Sequence, residues 1–170
     1  QIRVLPHVTG VTHLTWFGGI YTDQKDFFPN YAVDVETIGE VLTDFELDRT
    51  TLEELKHRRD GALVGVRTMR KFGWKIGDEV TLRDSPWFGV SLTVKIIGEI
   101  PEVSAMASTM MIFSRQYYEE VLRPFEKFGS TGWVTMFMVN IDKPEHISSV
   151  IASIDDRFRN ADTPTVTETQ

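Results

Sequence analysis

Side chains able to ligate a metal, attack a carbonyl or shuttle protons are present, but few stand at the spacing such chemistry needs. The four histidines are His7, His13, His57 and His146. Two imidazoles four residues apart on a helix share a face and can grip one ion. His7 and His13 are six apart with Gly10 between them, and the other two are isolated, so all four are expected to be ordinary surface or core residues. A serine nucleophile is usually exposed on a strained G-x-S-x-G turn. That pattern is absent, and Ser130 in "GST" has no evident partner. A phosphate-binding loop needs G-x-x-x-x-G-K-[ST], whose backbone N–H groups hold the phosphates. "GALVGVRTMRK" (61–71) has two glycines but no lysine after the second. "DFELD" (44–48) lacks the glycine and closing glutamate of a calcium loop. Asp155–Asp156 are expected on a solvated helix face. With no cysteine, thiol catalysis, disulfides and Cys-based zinc sites are excluded. No catalytic, cofactor-binding or metal-ligating residues are therefore expected.

Charge narrows the partners. The net charge is −7, which opposes the phosphate neutralisation that nucleic-acid binding requires. Residues 21–54 hold ten acids against two bases, whereas 56–71 hold six lysines and arginines against one acid. This asymmetry could make two surfaces of opposite sign, able to orient a partner or face anionic lipid; otherwise these are solvated helix faces. No apolar run is long enough to span a bilayer. "QIRVLP" reads as the last turn of a helix begun upstream, and "TVTETQ" as a piece stopping within an element. The expectation is a domain taken from a larger chain.

Any site must be positioned by a mixture of strands and helices. Residues 11–17, 30–33 and 62–64 read as strands, and 80–82 with 92–96 as a hairpin tipped by "DSPWFG"; 109–114 is a further strand. Asp34 is expected to cap a helix carrying Val35, Ile38, Val41, Leu42 and Phe45 inward. Thr51 with Glu54 has capping-box spacing for a second. Val66, Met69 and Phe72 form a short helical face closed by Gly73. Ser114 caps a helix ended by Pro124. "WVTMFMVNI" (133–141) is apolar on both faces, as in a strand covered on both sides. Asp142 and Glu145 have cap spacing before the clearest amphipathic helix, which carries Ile147, Val150, Ile151, Ile154 and Phe158 and is expected to carry much of the burial. The fold class is α+β.

The stretch "WFGGIYTDQKDFFPNYAVDVET" (16–37) places aromatic pairs on either side of a polar loop. Trp16 and Phe17 would end a strand, Gly18–Gly19 turn the chain out, and Phe27–Phe28 bring it back. These aromatics either anchor the loop or meet a partner; the candidate contact residues are Trp16, Phe17, Tyr21, Phe27, Phe28, Trp87 and Phe88.

This stretch, followed in order by "RRDGALVG", "KFGWKIGDEVTL" and "IDDRFRNADTPTVTET", resembles the extracytoplasmic domain of bacterial ABC-transporter permeases of the FtsX/MacB type, over nearly the whole chain. The resemblance implies a porter-like helix-on-sheet subdomain (1–60 and 114–170) with a smaller β-rich inserted subdomain (61–113). It implies a periplasmic, non-enzymatic domain of an inner-membrane protein that relays ATP-driven helix motion to a substrate or accessory protein. ATP would be hydrolysed by a cognate ATPase domain or subunit, a second permease protomer is a possible partner, and no cofactor is implied. The alternative is a domain that binds a small molecule or lipid in a cleft between the subdomains.

Overall fold

Buried residues, alternating along Glu79–Leu82 and the first half of Leu92–Ile100 and continuous along the central Gly61–Gly65 and Met111–Ser114, build a single mixed sheet. The computed structural model describes residues 2–43, 47–86, 88–161 and 165–169. Its strands are β1 (Val8–Trp16), β2 (Asn30–Val33), β3 (Gly61–Gly65), β4 (Glu79–Leu82), β5 (Leu92–Ile100), β6 (Met111–Ser114) and β7 (Met136–Ile141). They lie in the order β4-β5-β3-β6-β2-β1-β7. Parallel pairings join β2 to β6 and β3 to β5; the remaining neighbours are antiparallel. The hairpin is in the expected register, with Val80 opposite Val94 and Leu82 opposite Leu92. The fold is α+β.

The helices are α1 (Ile38–Val41), α2 (Arg49–His57), α3 (Val66–Phe72), α4 (Arg115–Leu122) and α5 (Ile147–Phe158). On one face of the sheet, Phe17, Ala32, Val64, Leu82, Ile96 and Phe113 form a core with Met69 of α3 and Tyr118 and Leu122 of α4. On the other, Leu14, Val33, Leu63, Ile100 and Ile112 pack with Ile38 of α1 and Leu55 of α2. Burial of such side chains stabilises by about 1.5–3 kcal/mol each. The stretches 1–60 with 114–170 and 61–113 meet along the β2–β6 pairing, where Tyr31 lies opposite Ile112, so hydrogen-bonded sheet runs across their boundary.

Several elements depart from the sequence reading. The helix after Asp34 is only one turn long: the Asp34 carboxylate accepts from Glu36 N at 3.0 Å, and α1 spans Ile38–Val41. Thr37 and Gly39 are poor helix formers in this short run; Phe45 lies outside the described residues. The second helix starts earlier than Thr51, because Asp48 is its cap and accepts from Thr51 N at 2.7 Å. Past α4 the chain continues as a 3₁₀ turn through Pro124, whose missing N–H is tolerated in a first turn, and stops at Gly129 in the left-handed region (φ 74°). β7 is an edge strand and only partly covered, with Phe137 exposed. An apolar run reveals composition but not whether a neighbouring strand is present. α5 is amphipathic as expected, but it buries Val150 and Ile154 in a small cluster with Ile2, away from the two main cores. The bulk of the burial is elsewhere.

Candidate functional site

The loop between β1 and β2 is fastened from below. Gly18 has φ 68°, a conformation side chains resist, and a Cβ there would lie 2.6 Å from the Trp16 ring. Asn30, fully buried at the start of β2, holds both ends of the excursion. Gly19 N–H donates to its Oδ1 at 3.0 Å, while its Nδ2 donates to Gly19 O at 3.0 Å and Phe28 O at 2.9 Å. The paired backbone bonds between Ile20 and Arg83, each 2.8 Å, tie the loop to the end of β4. Ser85 Oγ donates to Phe17 O at 2.6 Å.

This arrangement separates the seven candidate contact residues. Phe17 and Phe28 are buried: Phe17 meets Phe113 and Tyr118 edge-on, and Phe28 meets Phe72 and Trp74. Neither is reachable from outside. Tyr21 is half-buried, with its ring edge-on to Phe72 and Trp74. Trp16 is half-buried. Phe27 and Phe88 are exposed; Phe88 has φ 60° and stacks on Phe125 with centroids 5.2 Å apart. Trp87 lies outside the described residues. Sequence reasoning missed Phe128, Trp133 and Phe137, all exposed aromatics leading into or along β7. Trp133 and Phe137 were hidden in a run that reads as fully covered, and Phe128 ends the 3₁₀ turn after α4.

The basic run at 56–71 does not form a free positive surface. Lys56 pairs with Glu53, Arg58 with Asp60, Arg59 with Glu120, Arg67 and Arg70 with Glu102, and Lys71 with Asp26. These pairs are solvated, and each is worth about 0–1 kcal/mol. Their effect is to cancel the field expected from the sequence.

An open depression of about 590 Å³ is bordered by His13, Asp34, Lys56, Arg115, Glu119 and Phe137. Arg115 Nε donates to Glu119 Oε1 at 2.9 Å. Burial, aided by the Arg115 charge, lowers the His13 pKa below 6.5, favouring the neutral ring. A second depression of about 460 Å³ also includes His13, Asp34 and Phe137. Neither is lined by any residue of 61–113, so neither lies in a cleft between the two stretches. The Ser130 hydroxyl is buried and donates to Leu122 O at 3.0 Å, which engages it as a structural group.

The histidines contain a grouping that their spacing concealed. His7 immediately precedes β1, Asp142 follows β7, and His146 precedes α5. His7 Nδ1 lies 3.0 Å from Asp142 Oδ2, and His146 Nδ1 lies 2.7 Å from Oδ1. The imidazoles stack with centroids 3.6 Å apart at 25°. Hydrogen bonds from His146 and His7 hold the Asp142 carboxyl down at about 2. Asp142 thus engages side chains instead of capping α5 as its sequence position suggested. The D-x-x-x-H spacing of Asp142 and His146 was visible in the sequence; His7, 135 residues from Asp142, arrives only through the β1–β7 pairing.

Comparison with family models and with curated proteins gives no match. Among solved structures, the chain is similar to the extracellular domain of the noncanonic ABC-type transporter YknZ from Gram-positive bacteria. That likeness has a TM-score of 0.52 and 16% identity, covering 92% of this chain and 79% of the other. A domain assigned to a permease protein from Porphyromonas gingivalis gives a TM-score of 0.49 and 16% identity over 98% and 78% of the two chains. The fold likeness rests on the former. No helix among the described residues is long and apolar enough to cross a membrane.

Proposed function

We propose that this chain is the extracytoplasmic domain of an ABC-transporter permease of the FtsX/MacB type, and that it transfers ATP-driven motion of membrane helices to a substrate or partner outside the cytoplasm. The observation that carries this reading is the likeness of nearly the whole fold to the extracellular domain of an ABC-type transporter. The collinear motifs of the sequence support it independently. Fold alone does not fix function, so the physical requirement of the role matters. A relay must move as one body, and a continuous sheet packed on both faces provides that stiffness. ATP is hydrolysed by a separate ATPase domain or subunit, and the parent lies in the inner membrane with this domain in the periplasm. The exposed Phe27 and Phe88, with Phe128, Trp133 and Phe137, are aromatics available to a periplasmic accessory protein or a second permease protomer.

The absence of cysteine from this chain makes the test direct. Ile76 is exposed, so Ile76→Cys in a parent cleared of other thiols presents one reactive site. A membrane-impermeant maleimide labels it from the extracytoplasmic side under this reading. Labelling only after the inner membrane is opened contradicts it.

A further inference from the structure

We propose that His7, Asp142 and His146 form a binding site for a divalent transition-metal ion of the zinc class. The inference does not depend on the permease reading. Two imidazoles and one carboxylate are a donor set that suits zinc, and three protein ligands leave a fourth position for water. All three residues offer ligand atoms within 4.8 Å of one another. Tetrahedral zinc with bonds of about 2.0–2.2 Å keeps its ligand atoms roughly 3.3 Å apart. The Nδ1–oxygen separations of 3.0 and 2.7 Å open by a few tenths of an ångström, and the stacked rings, 3.6 Å apart at 25°, splay so that both Nδ1 lone pairs converge on one ion. Half-exposed side chains give solvent, and hence an ion, access to the cluster.

The backbone gathers these ligands from three elements. His7 holds a left-handed φ of 67°, a conformation that L-residues seldom adopt. Its carbonyl accepts from Asp142 N–H at 3.0 Å, which fixes the two residues against each other. His146 N–H donates to Lys143 O at 3.1 Å in the 3₁₀ turn before α5. Neutral imidazole is the ligating form. On binding through Nδ1, a neutral ring carries its proton on Nε2 after exchange with solvent. A protonated ring releases one proton. Imidazole ligands select first-row transition ions over calcium and magnesium, which favour oxygen. A bound ion would join the start of β1 to the entry of α5.

The test is titration of the 170-residue chain with zinc chloride, followed by calorimetry and by histidine ring NMR. The expected result is saturable uptake of one equivalent, absent with calcium, and weakening in acid as protons compete with the ion for the ligand nitrogens. At 100 times the dissociation constant, the unfolding equilibrium constant falls about 100-fold. His7→Gln and His146→Gln each abolish the uptake, while His57→Gln retains it. The wild-type readout guards against misfolded variants: substoichiometric copper(II) broadens the His7 and His146 ring signals before those of His13 and His57. Absence of saturable zinc uptake by the wild-type chain, uptake unchanged in both glutamine variants, or broadening that begins at His13 or His57 overturns the proposal.

Discussion

Asn30→Ala tests whether the loop after β1 is held by one buried amide. In the native structure that side chain serves Gly19 N–H, Gly19 C=O and Phe28 C=O, and is itself fully buried. Truncation deprives each of these backbone groups of a partner in a site closed to solvent. Each buried group left unsatisfied costs about 1–3 kcal/mol, and partial entry of water recovers some of that. The expected loss is therefore about 3–5 kcal/mol, a large share of the roughly 5–15 kcal/mol of a typical domain. In urea, with a slope of about 2 kcal/mol/M, the midpoint falls by about 2 M while the slope is unchanged. Asn30→Asp sharpens the test. It keeps the acceptor for Gly19 N–H but loses the donors to two carbonyls, and it buries a charge. Burial and the facing carbonyls raise the folded-state pKa of the new carboxyl. The variant is consequently least stable at neutral pH and recovers as pH falls and the group protonates. A loss below about 1 kcal/mol for Asn30→Ala at unchanged slope, or no recovery of Asn30→Asp in acid, refutes the reasoning. Either result would mean that packing of Phe28 alone holds the loop.

Two further predictions concern the frame and its titration. A Cβ at Gly65 would lie 2.3 Å from the Ser108 carbonyl carbon and 2.5 Å from Ala107 O, both backbone atoms that cannot swing aside. Gly65→Ala is expected to cost about 3 kcal/mol or more by chemical denaturation, whereas Gly77→Ala meets no atom and loses stability only through its φ of 102°. His13 is held neutral, with its folded pKa below the ordinary 6.5. The unfolded chain therefore binds the extra proton first, and stability falls as pH drops from about 6.5 through the folded value. His13→Gln should flatten that part of a stability–pH curve measured at constant ionic strength, while stability above pH 7 changes little.

Most of the frame was legible because local chemistry and burial agree along it. "NYAV" is β2 at the expected residues, Gly73 closes α3 in the left-handed region, and Ser114 caps α4 by accepting from Tyr117 N. The hairpin of β4 and β5 follows from strict alternation. Sequence reasoning failed where the answer depends on what lies across space. The apolar run at 133–141 cannot show that β7 has a neighbour on one side only. The basic run at 56–71 cannot reveal that acids as distant as Glu120 and Glu102 neutralise it. Phe17 and Phe28 look like Phe27 in composition, yet only Phe27 is exposed: Phe28 shares the buried side of Asn30 two residues on, and Phe17 packs on Phe113 and Tyr118. His7 and His146 read as ordinary residues because their contact requires the β1–β7 register.

The central claim, a lever moved by ATP from the far side of a membrane, is tested most directly by a distance. Spin labels at Ile76→Cys and at a site on the cytoplasmic ATPase, in the reconstituted parent complex, report their separation by pulsed resonance. The account predicts that this separation shifts when ATP is bound and returns after hydrolysis, while the distance between labels at Ile76→Cys and Val4→Cys within the domain stays constant. An ATP-independent separation between the domain and the ATPase, or a change confined within the domain itself, would contradict it.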